Sequence, residues 1–282
     1  MRQNARWYVL VLLLIFAVSS TGCRQAARAL VSDGMEVQVG EAVASTIGNE
    51  YALLSDQDPT TIWARELVGH LAVHSTHQRN YQNFGGYKVQ VIDDDRLVNA
   101  FAAPGGYLFF STGLILAAES CAEVASVVGH ELAHVTKRHG IDRIADMLAL
   151  NVGAMLIGIN SDILFSMATS LLQNGFSRVQ EREADLAGLE IMVRAGYNPR
   201  GMIDLFSTLQ EEGGSLGALQ LFSSHPDSRA RQKAVLSAVE QDYGREVRAM
   251  IDTRERMECR GTTESFWEAQ NRLKSAKRRA LH

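Results

Sequence analysis

Basic residues are not in excess in this sequence, and neither internal repeats nor low-complexity linkers occur along its 282 residues. Lys and Arg number 28 against 32 Asp and Glu, which gives a formal net charge of -4. Proteins that bind nucleic acid usually carry a concentrated basic face, so that class is excluded. The composition, 46% hydrophobic and 21% charged, also excludes a disordered or fibrous chain. The sequence therefore predicts a globular protein with one sizeable core or two small ones.

A hydrophobic run long enough to cross a membrane is missing at the N-terminus. The apolar segment WYVLVLLLIFAV occupies residues 7–18, whereas a membrane-spanning helix needs roughly 20 apolar residues. Arg2 and Arg6 precede this run, and SSTGC, which ends at Cys23, follows it. This layout is typical of a secretory signal peptide, which we predict over residues 1–22. A retained transmembrane helix is the alternative.

The residues before Cys23 resemble a bacterial lipobox, in which the cysteine becomes the acylated first residue after cleavage. The segment reads STGC, with Ser20 at a position where leucine is usual, and Arg24 follows the cysteine. An aspartate after the cysteine would resemble an inner-membrane retention signal. The resemblance therefore implies a lipid anchor at Cys23, an N-terminal lipid-anchored segment over residues 23–48, and a location on the periplasmic face of the outer membrane.

Cysteine is scarce, since only three are present, and Cys121 and Cys259 are the two that lie beyond Cys23. In an oxidising compartment an even pair is compatible with a disulfide. Two separate buried thiols are the alternative, because sequence alone gives no geometry.

Local patterns predict a helix, then a small sheet, then many helices. Asp58 and Pro59 provide an N-cap and a first-turn proline for the first of these helices. Short β-prone runs separated by turn-forming residues follow at 87–92, 97–102 and 107–111. We expect these runs to form a small antiparallel sheet. The rest of the chain reads as mainly helical, so the sequence predicts an α+β fold with one catalytic domain.

The stretch VVGHELAHV, residues 127–135, carries the strongest chemical signal. On a helix, residues four apart differ by about 40° and neighbours by about 100°, so His130, Glu131 and His134 share one arc. Imidazole nitrogens bind Zn²⁺ readily, and a carboxylate beside the first ligand can take a proton from the attacking water. We predict zinc ligands at His130 and His134 and a general base at Glu131.

A catalytic zinc site uses three protein ligands, and residues 177–196 offer the third. Glu181 and Asp185 are four apart and share a helix face, whereas Glu183 points about 200° away from Glu181. We predict that Glu181 ligates the metal and that Asp185 orients a ligand histidine. The alternative is an exposed acidic helix start. His139 lies about 140° around a continuous helix from His134, which predicts a surface position.

Four motifs together resemble the zinc metallopeptidases of the HtpX, BepA and LoiP group, which are relatives of the CAAX prenyl proteases. They are HELAH, EREAD, SHPDSRAR at 224–231 and NAFAAPGGYLFFSTGLI at 99–115. The resemblance covers roughly residues 50–240. It implies a mainly helical zincin domain of the gluzincin type over residues 49–245, followed by a charged C-terminal helical extension or tail over residues 246–282.

The resemblance also implies roles for particular residues. It makes Glu181 the third zinc ligand, and it makes the strand Asn99, Ala100, Phe101, Ala102 the edge that holds an extended substrate. An open strand edge offers main-chain hydrogen bonds without demanding a particular side-chain sequence.

In similar BepA-like proteins, a histidine matching His225 fills the zinc's open position and holds the enzyme inactive. Arg231 matches a family arginine near the substrate carbonyl, where a cation stabilises an oxyanion. Arg229 is a competing match. A helix N-terminal turn for His225 and a solvated arginine are the alternatives.

Together, these expectations predict a zinc-dependent endopeptidase of the periplasm that degrades misfolded or misassembled envelope proteins. Its predicted partners are unfolded polypeptides, the membrane through the lipid anchor, and the outer-membrane assembly machinery, with no nucleic acid. The apolar segment 147–159 is predicted to be a mobile lid over the cleft. The alternative function is a zinc-containing chaperone or assembly factor for outer-membrane proteins. A purely structural zinc site is disfavoured, because the expected cysteine ligands are missing.

Overall fold

The computed structural model describes residues 31–76, 85–150, 160–211, 225, 228–243 and 259–280. In chain order, its helices and strands are α1 (Asp33–Glu50), α2 (Pro59–Ala72), β1 (Lys88–Ile92), β2 (Ala100–Ala103), β3 (Tyr107–Ser111), α3 (Thr112–Ala117), α4 (Cys121–Thr136), α5 (His139–Leu150), α6 (Ser161–Gln173), α7 (Arg178–Arg194), α8 (Arg200–Glu211), α9 (Ser228–Asp242) and α10 (Phe266–Ala280). A mainly helical α+β fold with a small sheet is therefore confirmed.

The sheet has the strand order β1-β3-β2 and is mixed. Strand β2 pairs antiparallel with β3, as predicted, but β1 pairs parallel with β3. The expectation of a wholly antiparallel sheet is therefore wrong for one of its two pairings. After β1, the chain leaves one strand position empty and forms β2 beyond it. Strand β3 then fills the position between β1 and β2.

Helix α4 passes through the middle of the core and is buried along its whole length. Its N-cap is Ser120, whose hydroxyl accepts a hydrogen bond from the backbone N–H of Glu123. Helix α7 crosses it closely, because Gly129 and Gly188 leave room for the two backbones. A Cβ added to Gly129 would lie only 2.9 Å from the carbonyl oxygen of Gly188. This close crossing brings the HExxH face of α4 against the start of α7.

Helix α1 packs against the sheet and against α6 through a second apolar cluster that includes Val43, Ile47 and Phe109. Glu36 on this helix is buried and pairs with Arg138, whose Nη2 lies 2.8 Å from its Oε2. Most of α1 falls within residues 23–48. The segment predicted to carry the anchor therefore contributes a helix to the folded core, and its lipid attachment stays a prediction.

Cys121 and Cys259 form a disulfide that joins the first residue of α4 to the C-terminal part of the chain. Helix α10 follows and places Phe266 in the main core, where its ring lies 6.2 Å from that of Trp63. Gln270 donates hydrogen bonds of 2.8 Å to the carbonyls of Ile115 and Ala118. The C-terminal extension is thus tied to the core by a covalent bond and by packing.

Some predictions fall outside the described residues. These are the signal peptide at 1–22, the lipid anchor at Cys23, and almost all of the apolar segment 147–159. Among the helices that the structure does describe, none has the length and apolar character that a membrane crossing requires.

Candidate metal centre

His130 and His134 point from one face of α4 into the interior, and both side chains are nearly inaccessible to solvent. Their Nε2 atoms lie 3.0 Å apart. The spacing of four residues places both rings over the same turn, as the helical pattern predicts.

Glu181 enters the same space from the first turn of α7 and is fully buried. Its Oε2 lies 3.5 Å from Nε2 of His130, and its Oε1 lies 3.6 Å from Nε2 of His134. Helix α7 begins with a capping box between Ser177 and Gln180, which fixes where its first turn starts. The structure therefore brings together the three residues predicted as ligands.

His225 joins this cluster from the segment before α9. Its Nδ1 lies 2.9 Å from Oε1 of Glu181 and 3.3 Å from Nε2 of His130. Its Nε2 lies 3.3 Å from Oε1 of Glu131. His225 thus lies between the predicted ligands and the predicted general base.

These four residues fit a metal ion by two criteria. Their candidate donor atoms all lie within 4.8 Å of one another, and the named contacts among them fall between 2.9 and 3.6 Å. Donors about 2.0–2.1 Å from a tetrahedral zinc ion would lie roughly 3.3 Å apart, which matches that range. Imidazole and carboxylate are also the donor types of catalytic zinc sites. The cluster therefore suits a divalent metal.

Glu131 follows His130 on α4 and is buried, yet neither of its carboxylate oxygens makes an aligned hydrogen bond to a residue that the structure describes. Leaving a buried carboxylate without hydrogen bonds is costly. A water or substrate group beside the metal ligands would satisfy it. This is the position that a general base requires.

Asp185 and Arg231 lie behind the ligands. Oδ1 of Asp185 lies 3.0 Å from Nδ1 of His130, which agrees with its predicted orienting contact. Arg231 donates from Nε and Nη2 to Asp185 at 2.8 and 2.6 Å, and its Nη1 lies 2.7 Å from Oε2 of Glu181. The guanidinium of Arg231 therefore pairs with two carboxylates, those of Asp185 and Glu181. Arg229, the competing match, is exposed.

His139 is buried rather than on the surface, so the prediction for this residue is wrong. Its Nδ1 lies 2.9 Å from Nδ1 of His134, and its Nε2 lies 3.2 Å from Oε2 of Glu183. The helical angle between the two histidines does not apply, because α4 ends at Thr136 and α5 begins at His139. Arg138, with φ of 61°, turns the chain between them. Local sequence contained no signal for that break.

The charges of the cluster favour metal binding. Burial, followed by the nearby charge of His130, lowers the pKa of His134 well below its usual 6.5, so this ring is neutral and keeps a lone pair for a metal. Burial alone would raise the pKa of Asp185, but hydrogen bonds from Arg231 and His130 outweigh it and hold the pKa at about 2.

Glu181 and His225 influence each other. Burial would raise the pKa of Glu181, yet the hydrogen bond with His225 reverses that effect and lowers it. Burial would likewise lower the pKa of His225, but Glu131 and Glu181 outweigh it and raise the pKa to about 10 for the polypeptide alone. In the polypeptide alone, His225 is therefore protonated and pairs with both carboxylates.

Strand β2 forms an edge of the sheet, since it pairs with β3 on one side and no described strand pairs with the other. A cleft of about 290 Å³ runs along it to His225. The residues predicted to hold substrate that line this cleft are Asn99, Phe101 and Ala102, whereas Ala100 is buried in the core. The structure thus places most of the predicted substrate strand beside the site.

A buried HExxH helix, with a carboxylate from a neighbouring helix as the third ligand, is typical of metallopeptidases. The family model described as Peptidase family M48 matches residues 60–239, and the chain belongs to that family. The resemblance found in the sequence motifs is confirmed.

Curated relatives carry two kinds of name. The chain is 34% identical over 155 residues to the mitochondrial metalloendopeptidase OMA1 of Arabidopsis thaliana, covering 54% of this chain and 31% of that protein. It is 29% identical over 213 residues to OMA1 of Schizosaccharomyces pombe, covering 73% and 61%. It is 38% identical over 133 residues to the putative beta-barrel assembly-enhancing protease of Vibrio cholerae serotype O1, covering 42% and 27%. The chain thus spans less than two thirds of each of these relatives.

Proposed function

We propose that this protein is a zinc-dependent endopeptidase that cuts unfolded or misassembled polypeptides at the bacterial cell envelope. The observation that carries this proposal is the buried carboxylate of Glu131, which makes no aligned hydrogen bond to the described part of the chain and lies beside the ligand set His130, His134 and Glu181. A metal site that served only structure would have no use for a carboxylate at that position.

Zinc held by these three residues would polarise the scissile carbonyl and lower the pKa of a bound water. Glu131 is placed to take a proton from the attacking water and to return it to the leaving amine, so one carboxylate would serve both proton transfers. Asp185 accepts a hydrogen bond from Nδ1 of His130 at 3.0 Å, which would leave the lone pair of the histidine's Nε2 available to a metal ion. The protein forms no covalent bond with the substrate.

The edge of β2 holds the substrate backbone. An extended peptide adds to an open strand edge through main-chain hydrogen bonds, and such binding requires an unfolded segment. The adjoining cleft of about 290 Å³ leaves room for varied side chains. These two features support misfolded or misassembled chains as the substrate class.

A location at the periplasmic face of the outer membrane, reached by a signal peptide and held by a lipid on Cys23, completes the proposal. The disulfide between Cys121 and Cys259 supports it, because disulfides persist in exported proteins and are rare in the cytosol. The name of the Vibrio cholerae relative, a putative beta-barrel assembly-enhancing protease, favours misassembled outer-membrane proteins and their assembly machinery as partners.

A second candidate function is a zinc-containing assembly factor that binds unfolded strands along β2 and rarely cuts them. The word "assembly" in that relative's name favours it. Glu131 distinguishes the two functions, since a binding module has no need of a general base.

Casein provides the test, because it is unfolded and the proposal requires no particular sequence. The mature protein should cleave it when loaded with zinc, and a chelator should stop the cleavage. Glu131→Gln should lose at least about a hundredfold in rate, the usual contribution of a general base, while its zinc content stays at one ion per chain. Casein that is bound but not cut by the wild type would favour the assembly factor.

A further inference from the structure

Helix α1 lies before the part of the chain that the family model matches, yet it contacts the connection that follows the HExxH helix. The match begins at residue 60, whereas α1 covers Asp33–Glu50. Glu36 on this helix is buried, with 1% of its surface exposed. A buried carboxylate needs a partner, because an isolated charge is costly away from water. Glu36 pairs with Arg138, which lies between α4 and α5.

The contact between these two residues fixes the direction of the arginine side chain. Arg138 donates from Nε and Nη2 to Oε2 of Glu36, at 3.2 and 2.8 Å. Two charge-assisted bonds orient a guanidinium better than one does. The backbone of Arg138 has φ of 61°, a left-handed conformation that is uncommon outside glycine. Such a conformation persists only where the surroundings hold it, and the carboxylate of Glu36 is one of those surroundings.

The turn at Arg138 places His139 against the ligand His134. The carbonyl of Arg138 accepts hydrogen bonds from the N–H groups of Ile141 and Asp142 at 3.0 and 3.1 Å, so α5 starts from this residue. His139 then lies with its Nδ1 2.9 Å from Nδ1 of His134. With ordinary helical dihedrals at Arg138, α4 would continue and His139 would lie about 140° around it from His134. The contact with the ligand therefore depends on the turn.

Helix α1 is itself held in a fixed place. Gly40 allows it to approach the turn between β2 and β3, because a Cβ at this position would lie 2.2 Å from the carbonyl oxygen of Pro104. Val39 is fully buried and belongs to the same apolar cluster as Ile141 and Ile144 of α5. The helix that carries Glu36 is thus packed against the helix that begins with the orienting histidine.

We propose that Glu36 is a positioning residue of the metal centre, which acts through Arg138 and His139 on the ligand His134. This inference deepens the proposed function and rests on it, since it assumes that His134 binds zinc. Helix α1, which lies outside residues 60–239, thereby influences how strongly the protein holds its metal.

The first test measures zinc affinity of the mature protein by competition with a chromogenic chelator. Glu36→Ala should weaken zinc binding by about tenfold, the low end of the effect of removing a group that supports a metal ligand. Glu36→Gln keeps an acceptor oxygen for Arg138 and should recover part of that affinity. Val39→Ala is the matched control, because it truncates another buried side chain of the same helix. It should lower the urea midpoint and leave zinc affinity unchanged.

The second test asks whether Glu36 acts through His139. Glu36→Ala should have no further effect on zinc affinity in a protein that already carries His139→Ala, because the route to His134 is then interrupted. Circular dichroism confirms that each variant is folded before its affinity is measured.

Three results would overturn the proposal. They are wild-type zinc affinity in Glu36→Ala, an equal loss of affinity in Val39→Ala, and losses that add in the double variant. Zinc affinity is measured without a substrate, so its outcome is separate from that of the casein assay. Weaker zinc binding in Glu36→Ala, together with a wild type that leaves casein intact, would support the positioning role and reject the endopeptidase function.

Discussion

Nδ1 of His139 lies 2.9 Å from Nδ1 of His134, and a carboxylate oxygen of Glu183 lies 3.2 Å from the other nitrogen of His139. Burial lowers the pKa of His139, so the ring is neutral and carries one proton. Glu183 accepts that proton from Nε2, which leaves Nδ1 of His139 as an acceptor for the Nδ1–H of His134. Nε2 of His134 is then left with a lone pair that faces the metal ligands.

We therefore expect His139→Ala to weaken zinc binding by about 10- to 100-fold, the usual effect of removing a group that orients a metal ligand. Competition with a chromogenic chelator measures this affinity. Glu183→Ala should have a smaller effect in the same direction, because Glu183 acts one residue further away. An unchanged zinc affinity in His139→Ala, with the fold intact by circular dichroism, would show that the contact has no orienting role.

Arg231 is expected to act by positioning the site rather than by touching the substrate. Its three contacts of 2.6 to 2.8 Å go to Asp185 and Glu181. Removing one partner of a buried ion pair costs about 3–5 kcal/mol, so Arg231→Ala should destabilise the protein by an amount of that order in urea unfolding. Arg231→Lys keeps the charge but loses the paired geometry and should restore only part of the stability.

The zinc affinity of Arg231→Lys separates the two roles of this arginine. A positioning role predicts weaker zinc binding together with slower cleavage. An oxyanion-stabilising role, which the resemblance implied, predicts a lower kcat at unchanged zinc affinity. A lower kcat at unchanged zinc affinity would therefore support the oxyanion-stabilising role of Arg231.

The sequence predicts those parts of the site that depend on residues close together along the chain. His130, Glu131 and His134 are placed by the spacing along one helix, and Glu181 with Asp185 by the same rule on another. The position of His139 depends instead on Arg138 adopting φ of 61°, which nothing in the neighbouring residues indicates. The parallel pairing of β1 with β3 likewise depends on how the chain crosses the sheet. Non-local connections of this kind leave no periodic pattern in the sequence.

Lipid attachment at Cys23 predicts a simple change of location. Cys23→Ser in the full-length chain should prevent acylation and release the protein into the soluble periplasmic fraction. Ser19→Ala, a change of similar size outside the anchoring residue, should leave it with the membranes. Membrane fractionation followed by immunoblotting measures both variants. Tight membrane attachment of Cys23→Ser would favour a retained N-terminal helix.

His225 lies between the metal ligands and the general base, 2.9 Å from Glu181 and 3.3 Å from Glu131, which predicts an inhibitory role. While its imidazole occupies that space, water and substrate must displace it, so only a fraction of the molecules is active at any moment. If that fraction is about one tenth, His225→Ala should raise basal casein cleavage by up to about tenfold. His74→Ala, a histidine outside the cluster, should change nothing.

Equal zinc occupancy must be established for each variant before the rates are compared, because His225 also contacts the ligand Glu181. The two roles that His225 could have predict opposite signs. An inhibitory histidine gives a faster mutant, since removal frees the position beside Glu131. A histidine that stabilises the transition state gives a slower mutant with its zinc intact, and that outcome would overturn the inhibitory role.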